Sequence, residues 1–233
     1  MTSPGGSGPE PEVRGLYLVT DRALCGGRPL EEVVAQAVAG GVACVQLREK
    51  DLSTRAFVEL AVALKRLLGP AGVPLIINDR LDVALAARAD GLHVGQEDMP
   101  CALVRRFMGP RAVIGLSVET WEDVERAQDQ DVDYLGISPV FPTPTKTDTK
   151  AAWGLEGIRR IRAFSRHPLV AIGGLNAANA AQAVLAGADG IAVVSAICAS
   201  PDPGSAAREL DARIQAALRD RRIALTPRPR VLE

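Results

Sequence analysis

The feature that most constrains the fold is a regular alternation of short apolar runs with longer segments of helical spacing. The apolar runs are Leu16–Thr20, Cys44–Leu47, Leu75–Ile77, Gly91–Val94, Val113–Leu116, Tyr134–Ile137, Leu169–Ile172 and Ile191–Val194. The helical segments are Leu30–Ala39, Arg55–Leu68, Leu81–Ala87, Ala102–Phe107, Trp121–Asp129, Leu155–Phe164, Ala177–Ala186 and Ser205–Leu218. Because the apolar runs are nearly continuous, they are typical of parallel strands buried on both faces. Eight strand–helix units predict an α/β fold, the (β/α)₈ TIM barrel.

The main structural alternative is an open, doubly wound sheet, which also alternates strands with helices. That fold usually has fewer units, and no Gly-x-Gly-x-x-Gly motif follows the first apolar run. The barrel is expected to occupy residues 14–219 as a single domain. Residues 1–13, which are rich in Gly, Pro and Ser, and residues 220–233 are expected to be flexible N- and C-terminal tails.

Composition and charge exclude several functional classes. The formal net charge is −1 and no basic cluster occurs, so neither nucleic acid nor an anionic membrane is an expected partner. No apolar run is long enough to span a bilayer, and the N-terminal stretch lacks the apolar core of a signal peptide. The four scattered cysteines favour a reducing, cytoplasmic compartment over disulfides or a zinc site. The expected partners are small molecules, and a homo-oligomer is left open.

Both histidines of the chain are predicted to be structural. His93 lies within the fourth strand and is interpreted as a satisfied core or rim histidine. His167 precedes the seventh strand and is expected at the bottom of the barrel. With only these two histidines, a His-rich metal site or a Ser-His-Asp triad is poorly supported.

Two carboxylates follow neighbouring strands at the end where barrels carry their sites. Asp79 comes directly after the third strand and Asp98 shortly after the fourth. Mg²⁺ prefers a few carboxylates together with waters and phosphate oxygens. Asp79 alone is explained better as the cap of the next helix. Together with Asp98, it predicts a Mg²⁺ site.

Basic residues alternate along the end of the second strand. A period of two puts Gln46, Arg48 and Lys50 on one face, which can point into the mouth of the barrel. Arginine offers a planar fork for phosphate oxygens and lysine a point charge, so the pattern predicts an anion site. The alternative is a solvated basic strand end that pairs with Glu49.

A second anion site is predicted at the ends of strands seven and eight. Gly173-Gly174 and Val194-Ser195 lie where barrels customarily bind phosphate through backbone N–H groups. A tight turn into the next helix also explains the two glycines, and both interpretations can hold together. The segment 139–154 after strand six is long for such a connection. Its prolines, its threonines and Lys146 predict a stiff cationic lid that closes on phosphates.

In combination, these motifs resemble the signature of the thiamine-phosphate synthase family. The motifs are Gln46–Lys50 (QLREK), Asn78-Asp79, Gly91–Asp98 (GLHVGQED), Pro139–Lys146 (PVFPTPTK) and Ile172–Gly174 (IGG). The resemblance implies a transferase of thiamine biosynthesis. Such an enzyme condenses 4-amino-2-methyl-5-(diphosphooxymethyl)pyrimidine with thiazole phosphate or its carboxylated form. The products would be thiamine phosphate and pyrophosphate, with Mg²⁺ as cofactor.

The resemblance also implies roles for individual residues. The pyrimidine diphosphate would be held by Gln46, Leu47, Arg48, Glu49, Lys50, Asn78, Ser117 and Lys146. The thiazole phosphate would be held by Thr143, Pro144, Thr145, Gly174, Val194 and Ser195. Mg²⁺ would be bound by Asp79 and Asp98. The residues expected to act in catalysis are Arg48, Lys50, Ser117 and Lys146.

Two alternative functions are kept. A sister barrel of the thiazole tautomerase type shares the fold and the thiazole phosphate site but needs no diphosphate–metal site. A non-catalytic protein that binds thiamine phosphates needs neither an intact carboxylate pair nor a lid. The synthase is favoured over both by the combination of Arg48, Lys50, Asp79, Asp98 and Lys146.

Overall fold

Eight parallel strands close into a barrel in the order of the chain. The structure, a computed structural model, describes residues 13–143 and 151–225. The strands are β1 (Gly15–Val19), β2 (Cys44–Leu47), β3 (Leu75–Asn78), β4 (Gly91–Val94), β5 (Val113–Val118), β6 (Tyr134–Ile137), β7 (Leu169–Ile172) and β8 (Gly190–Val193). Strand β1 pairs in parallel with both β2 and β8. The closed order confirms the predicted TIM barrel and excludes the open sheet.

Helices connect the strands around the outside of the barrel. They are α1 (Leu30–Ala39), α2 (Thr54–Leu68), α3 (Leu81–Ala87), α4 (Cys101–Met108), α5 (Trp121–Ala127), α6 (Gly154–Phe164), α7 (Ala180–Ala186), α8 (Ser195–Cys198) and α9 (Pro203–Leu225). Two single-turn 3₁₀ helices span Ala23–Cys25 and Gly69–Ala71. Within residues 13–143 and 151–225, none of the helices combines the length and the apolar character needed to cross a membrane.

The strands are buried on both faces, which explains their nearly continuous apolar sequence. Along β1, Leu16 and Leu18 pack outward against the helices, whereas Tyr17 and Val19 point into the barrel. The interior is completed by Val13, Cys44, Ile76, Val113, Tyr134, Val170 and Ala192. Both tyrosines of the chain therefore lie inside the barrel.

Aspartates tie the bottom of the barrel together. The three aspartates are Asp90 before β4, Asp133 before β6 and Asp189 before β8. The carboxylate of each accepts a hydrogen bond of 2.6 to 2.9 Å from a backbone N–H of the preceding strand. Asp189 also forms ion pairs with Arg162 at 3.0 Å and with Arg221 at 2.6 Å. His167 lies at this end, as predicted, and its Nε2 is 3.1 Å from the Ala127 carbonyl oxygen.

Two local features differ from the prediction. Helix α7 begins at Ala180 rather than at Ala177, because asparagine side chains hold the preceding residues in a turn. Asn176 Oδ1 accepts from the Ala178 N–H and Asn179 Oδ1 from the Asn176 N–H, each at 2.9 Å. The short helix α8 directly after β8 was not predicted.

The barrel that the structure describes extends beyond the predicted limits of 14–219 at both ends. Val13 is buried in the barrel interior, and α9 continues to Leu225. At the C-terminal end the reason is Arg221, whose guanidinium donates to the carbonyl oxygens of Val184 and Ala188 at 3.1 and 2.7 Å. The rest of the predicted tails, residues 1–12 and 226–233, lies outside the described residues.

Candidate functional site

A cavity of about 950 Å³ opens at the carboxyl ends of the strands. The predicted site residues that line it are Gln46, Arg48, Lys50, Asn78, Asp79, Asp98, Ser117, Thr143, Gly174, Val194 and Ser195. Pro144, Thr145 and Lys146 lie outside the described residues, so the predicted lid and their roles in it stay predictions.

The end of β2 presents alternate residues to the cavity. Gln46, Arg48 and Lys50 line it, as the period of two predicts. Leu47 is fully buried in the outer core between strands and helices. Glu49 does not line the cavity either, and its carboxylate forms an ion pair with Arg22 at 3.3 Å. The side chains of Leu47 and Glu49 therefore lie apart from the other residues assigned to the pyrimidine diphosphate by resemblance.

Asp79 is fixed at the end of β3 by hydrogen bonds. Lys50 Nζ donates to Asp79 Oδ2 and Asn78 Nδ2 donates to Oδ1, each at 2.6 Å. The Asp79 N–H donates to the carbonyl oxygen of His93 at 2.9 Å. Asp79 has a φ of +63°, which is uncommon for a residue other than glycine. The N-cap of α3 is Arg80, so the alternative in which Asp79 caps this helix is wrong.

Asp98 lies close to Asp79 across the mouth. Its Oδ2 accepts from the Gly95 N–H at 2.7 Å. Burial raises the pKa of Asp98, the Gly95 N–H opposes this shift, and the negative charge of Asp79 raises the pKa further. Two carboxylates that repel each other would be stabilised by a cation between them. Among the described residues no group of three or more His, Cys, Asp or Glu side chains gathers, so waters and phosphate would supply the remaining ligands.

The opposite wall is formed by the turn after β7. Gly173 and Gly174 have φ values of +100° and +64°. A Cβ on Gly174 would lie 2.8 Å from the Phe141 Cβ and from the Pro142 carbonyl oxygen, because the segment leaving β6 packs against this turn. Asn179 Nδ2 donates to the Gly174 carbonyl oxygen at 2.9 Å and holds the turn in shape.

The wall continues at the junction of β8 and α8. Val194 and Ser195 lie there and line the cavity. The first N–H groups of any helix have no partner within that helix. A short additional helix after strand eight is a recurring part of phosphate sites in barrels. The unpredicted helix α8 thus belongs to the same wall as the predicted residues.

The floor of the cavity is a chain of hydrogen bonds that the sequence did not predict. Gln46 Nε2 donates to Tyr17 Oη at 2.9 Å, and Tyr17 Oη is 2.9 Å from Tyr134 Oη. Tyr134 Oη is 2.8 Å from His93 Nδ1, and His93 Nε2 is 2.8 Å from Ser117 Oγ. His93 is buried with both ring nitrogens hydrogen-bonded, which agrees with its prediction as a satisfied histidine. The only sequence signal for the two tyrosines is that each lies within a strand-type apolar run.

A barrel whose mouth combines basic side chains, a carboxylate pair and a glycine turn defines a class of enzymes that act on phosphorylated small molecules. Comparison with known proteins narrows this class. A family model described as thiamine monophosphate synthase matches residues 16–197. The chain belongs to the thiamine-phosphate synthase family, which is a family of transferases.

Individual relatives agree with this assignment. The thiamine-phosphate synthase of Albidiferax ferrireducens is 60% identical over 201 residues, which cover 86% of this chain and 92% of the relative. The thiamine-phosphate synthase of Leptospira biflexa is 53% identical over 199 residues, which cover 84% and 95%. Each alignment spans most of both chains.

Solved structures show the same fold. A thiamine phosphate pyrophosphorylase from Pyrococcus furiosus superposes with a TM-score of 0.81 at 38% identity, covering 89% of this chain and 98% of that chain. A geranylgeranylglyceryl phosphate synthase from Thermoplasma acidophilum has a TM-score of 0.64 at 14% identity, covering 88% of this chain and 94% of that chain. At that identity the second similarity concerns the fold alone.

Proposed function

We propose that this chain is a thiamine-phosphate synthase. It joins the aminopyrimidine methyl diphosphate to the thiazole phosphate, forms a carbon–nitrogen bond and releases pyrophosphate. The observation that carries the proposal is that two chemically unlike walls face each other across one cavity. A basic and carboxylate-bearing wall on β2 to β5 faces a glycine-rich wall on β7 and β8.

The diphosphate would be bound at the wall formed by β2 to β5. Arg48 would bind its oxygens through the guanidinium fork and Lys50 as a point charge. Lys50 is 53% exposed in its ion pair with Asp79, so the pair can separate at little cost. Asn78 and Ser117 would add neutral hydrogen bonds. Lys146 of the predicted lid would add a further cation.

The thiazole phosphate would be bound at the wall formed by β7 and β8. Gly174, Val194 and Ser195 would supply backbone N–H groups, with a hydroxyl from Ser195. Glycine lets a phosphate approach the backbone closely because it has no Cβ. Thr143, Pro144 and Thr145 would close this half of the cavity from the lid.

A divalent cation fits the pair formed by Asp79 and Asp98. Their oxygens are hard ligands from neighbouring strand ends. Burial raises the pKa of Asp98, and the negative charge of Asp79 raises it further; a cation would relieve the second effect. We propose Mg²⁺, which would bind both carboxylates and neutralise charge on the diphosphate. We also propose small-molecule partners, and a cytoplasmic location that is supported by four free, buried cysteines.

The chain's own residues would act mainly through charge and position. Arg48, Lys50 and Lys146 would stabilise the negative charge that develops as the diphosphate leaves the exocyclic methylene. The electron-rich aminopyrimidine would carry the resulting positive charge. The thiazole nitrogen, held by the opposite wall, would then attack this carbon at short range. The nitrogen attacks with a free lone pair, so no general base is required.

A pyrophosphate-release assay tests the proposal. Purified protein is given both substrates with Mg²⁺, and each substrate alone in parallel reactions. We expect pyrophosphate and thiamine phosphate in equal amounts only when both substrates are present. Arg48→Met should reduce turnover by about 10²-fold or more, as expected for loss of a charge that stabilises a transition state. Arg22→Met is the matched control, because Arg22 pairs with Glu49 and does not line the cavity.

The same assay separates the alternatives. A tautomerase-type barrel would isomerise a thiazole carboxylate phosphate and release no pyrophosphate. A binding protein would retain thiamine phosphate in calorimetry without turnover of either substrate. Absence of pyrophosphate at saturating substrates and Mg²⁺ would refute the synthase proposal.

A further inference from the structure

One path of hydrogen bonds joins two residues that the proposed function assigns to substrate. Gln46 at the end of β2 and Ser117 on β5 are connected through Tyr17, Tyr134 and His93. The four contacts measure 2.9, 2.9, 2.8 and 2.8 Å. The three intervening side chains come from β1, β6 and β4, so the path crosses the barrel interior.

The barrel backbone makes room for this path. A Cβ on Gly115 would lie 2.2 Å from Tyr134 Cζ and 2.4 Å from His93 Nδ1. A Cβ on Gly136 would lie 2.9 Å from His93 Cε1. Any larger residue at either glycine would displace the His93–Tyr134 pair. Strands β5 and β6 thus each carry a glycine where the contact between His93 and Tyr134 leaves no space for a Cβ.

With Gln46 Nε2 facing Tyr17, the path has one direction in which every hydroxyl proton finds an acceptor. Gln46 Nε2 donates to Tyr17, which leaves the Tyr17 proton for Tyr134 and the Tyr134 proton for His93 Nδ1. Nδ1 is then unprotonated and Nε2 carries the proton donated to Ser117 Oγ. The opposite direction would require the Gln46 carboxamide to be turned over, so that its oxygen and not its Nε2 faced Tyr17.

Burial supports the same assignment. Tyr17 and Tyr134 are almost completely buried, and burial is the main cause that raises both phenol pKa values well above the usual range. Both remain neutral phenols with one proton each. Cys44, the register partner of Tyr17, is also buried, and burial raises the pKa of its thiol. The thiol therefore stays protonated beside the Tyr17 hydroxyl.

We propose that Tyr17, Tyr134 and His93 are positioning residues that fix how Gln46 and Ser117 meet the pyrimidine diphosphate. The Gln46 carboxamide is held with its N–H toward Tyr17, so its oxygen is presented to the pyrimidine as an acceptor. Ser117 accepts from His93, so its own proton is left to donate to the substrate. The path sets the donor and acceptor pattern at both ends. This inference rests on the proposed function for the identity of the ligand.

The tautomer of His93 tests the path without any substrate. The ¹⁵N chemical shifts of the histidine rings distinguish protonated from unprotonated nitrogens, and His167→Gln leaves His93 as the single histidine. We expect His93 with Nε2 protonated and Nδ1 unprotonated. Tyr17→Phe removes a hydroxyl that reaches His93 only through Tyr134, and should produce a mixture of tautomers. An Nδ1-protonated ring in the unaltered protein would overturn the inference.

Kinetics test the effect on the substrate. Tyr17→Phe and Tyr134→Phe should lower kcat by roughly 10- to 100-fold, because reacting groups lose their alignment. The KM for the thiazole phosphate should stay unchanged, because its wall is not part of the path. Ser165→Ala is the control. It removes a buried hydroxyl that accepts from the His167 N–H at the bottom of the barrel, and kcat should not change.

The two proposals can fail separately. If the unaltered protein releases no pyrophosphate, the proposed function is wrong. The tautomer measurement still tests the hydrogen-bonded path, because it needs no substrate. If the protein turns over, but Tyr17→Phe keeps both the unaltered kcat and a single tautomer, the positioning role is wrong. A fall in kcat in Tyr17→Phe with an unchanged tautomer would also contradict the path and indicate a local packing effect.

Discussion

Asp79→Asn is the substitution that best separates the two halves of the cavity. Asparagine keeps the size of the side chain and removes its charge. It also tolerates the φ of +63° at this position, because asparagine adopts the left-handed region more readily than most residues. Alanine would add backbone strain of roughly 1–3 kcal/mol. Asp79→Asn therefore changes the charge with little direct effect on the backbone.

The expected effects on stability and turnover differ in size. The lost ion pair with Lys50 joins side chains that are 53% and 23% exposed, so unfolding should become easier by about 1 kcal/mol at most. Turnover should fall by about 10²- to 10³-fold, because the Mg²⁺ proposed to neutralise the diphosphate loses a charged ligand. That loss corresponds to roughly 3–4 kcal/mol of transition-state stabilisation. The dissociation constant of thiazole phosphate should not change.

Three measurements on one protein preparation test this prediction. Pyrophosphate release gives kcat over a Mg²⁺ titration, calorimetry gives thiazole phosphate binding, and urea unfolding gives stability. Asp82→Asn is the matched control. It breaks the 2.5 Å ion pair with Arg80, also partly exposed, at a residue that does not line the cavity. It should change stability by a similar amount and leave turnover intact.

The reasoning is refuted if Asp79→Asn keeps a tenth or more of the turnover at saturating Mg²⁺. It is also refuted if thiazole phosphate binding weakens in parallel with turnover, because the two walls would then not be independent. Asp79→Ala should show the same loss of turnover as Asp79→Asn and a larger loss of stability. Equal stability of the two variants would show that the positive φ carries no strain.

Three further predictions concern the rest of the barrel. Asp189→Ala should lower the free energy of unfolding by about 3 kcal/mol, because two partly buried arginines lose their partner; urea unfolding should show almost no change for Asp131→Ala, whose side chain is 70% exposed. Burial lowers the pKa of His167 in the folded protein below its ordinary value of 6.5. Between pH 6.5 and that lower pKa the unfolded chain binds a proton that the folded protein does not, so the free energy of unfolding should fall as the pH drops through this range. Unfolding curves of His167→Gln should lack this part of the pH dependence, and an unchanged dependence would contradict the assignment. Gly174→Ala should raise the KM for thiazole phosphate by about tenfold or more, since roughly 1–3 kcal/mol of strain falls on this turn. Gly26→Ala, at a φ of +63° with open space for a Cβ, should leave that KM unchanged.

The strands could be predicted from sequence because the barrel imposes one rule on all of them. A strand between an outer and an inner apolar layer must be apolar on both faces. The predicted bounds of β2, β4, β6 and β7 therefore agree with the structure. The polar residues that follow the strands could also be collected at one rim, since parallel strands all end on the same side.

Side-chain geometry distinguishes residues within a motif that the resemblance carries over as a block. The run Gln46–Lys50 was assigned to the pyrimidine diphosphate as a whole by resemblance. Successive side chains of an extended segment point to opposite sides, and only Gln46, Arg48 and Lys50 line the cavity. Leu47 is instead part of the outer core, and Glu49 pairs with Arg22. The alternation of side chains along an extended segment predicts this difference between Gln46, Arg48 and Lys50 on one side and Leu47 and Glu49 on the other.

The floor of the cavity could not be predicted, because its contacts depend on closure of the barrel. Tyr17 and Tyr134 are 117 residues apart in sequence and meet only when β1 and β6 face each other across the interior. A tyrosine also satisfies two requirements at once, since its ring fills an interior layer while its hydroxyl needs a partner. In a chain with 3% aromatic residues, its two tyrosines agree equally well with simple core packing. Only the hydroxyl positions distinguish a packed layer from a hydrogen-bonded path between Gln46 and Ser117.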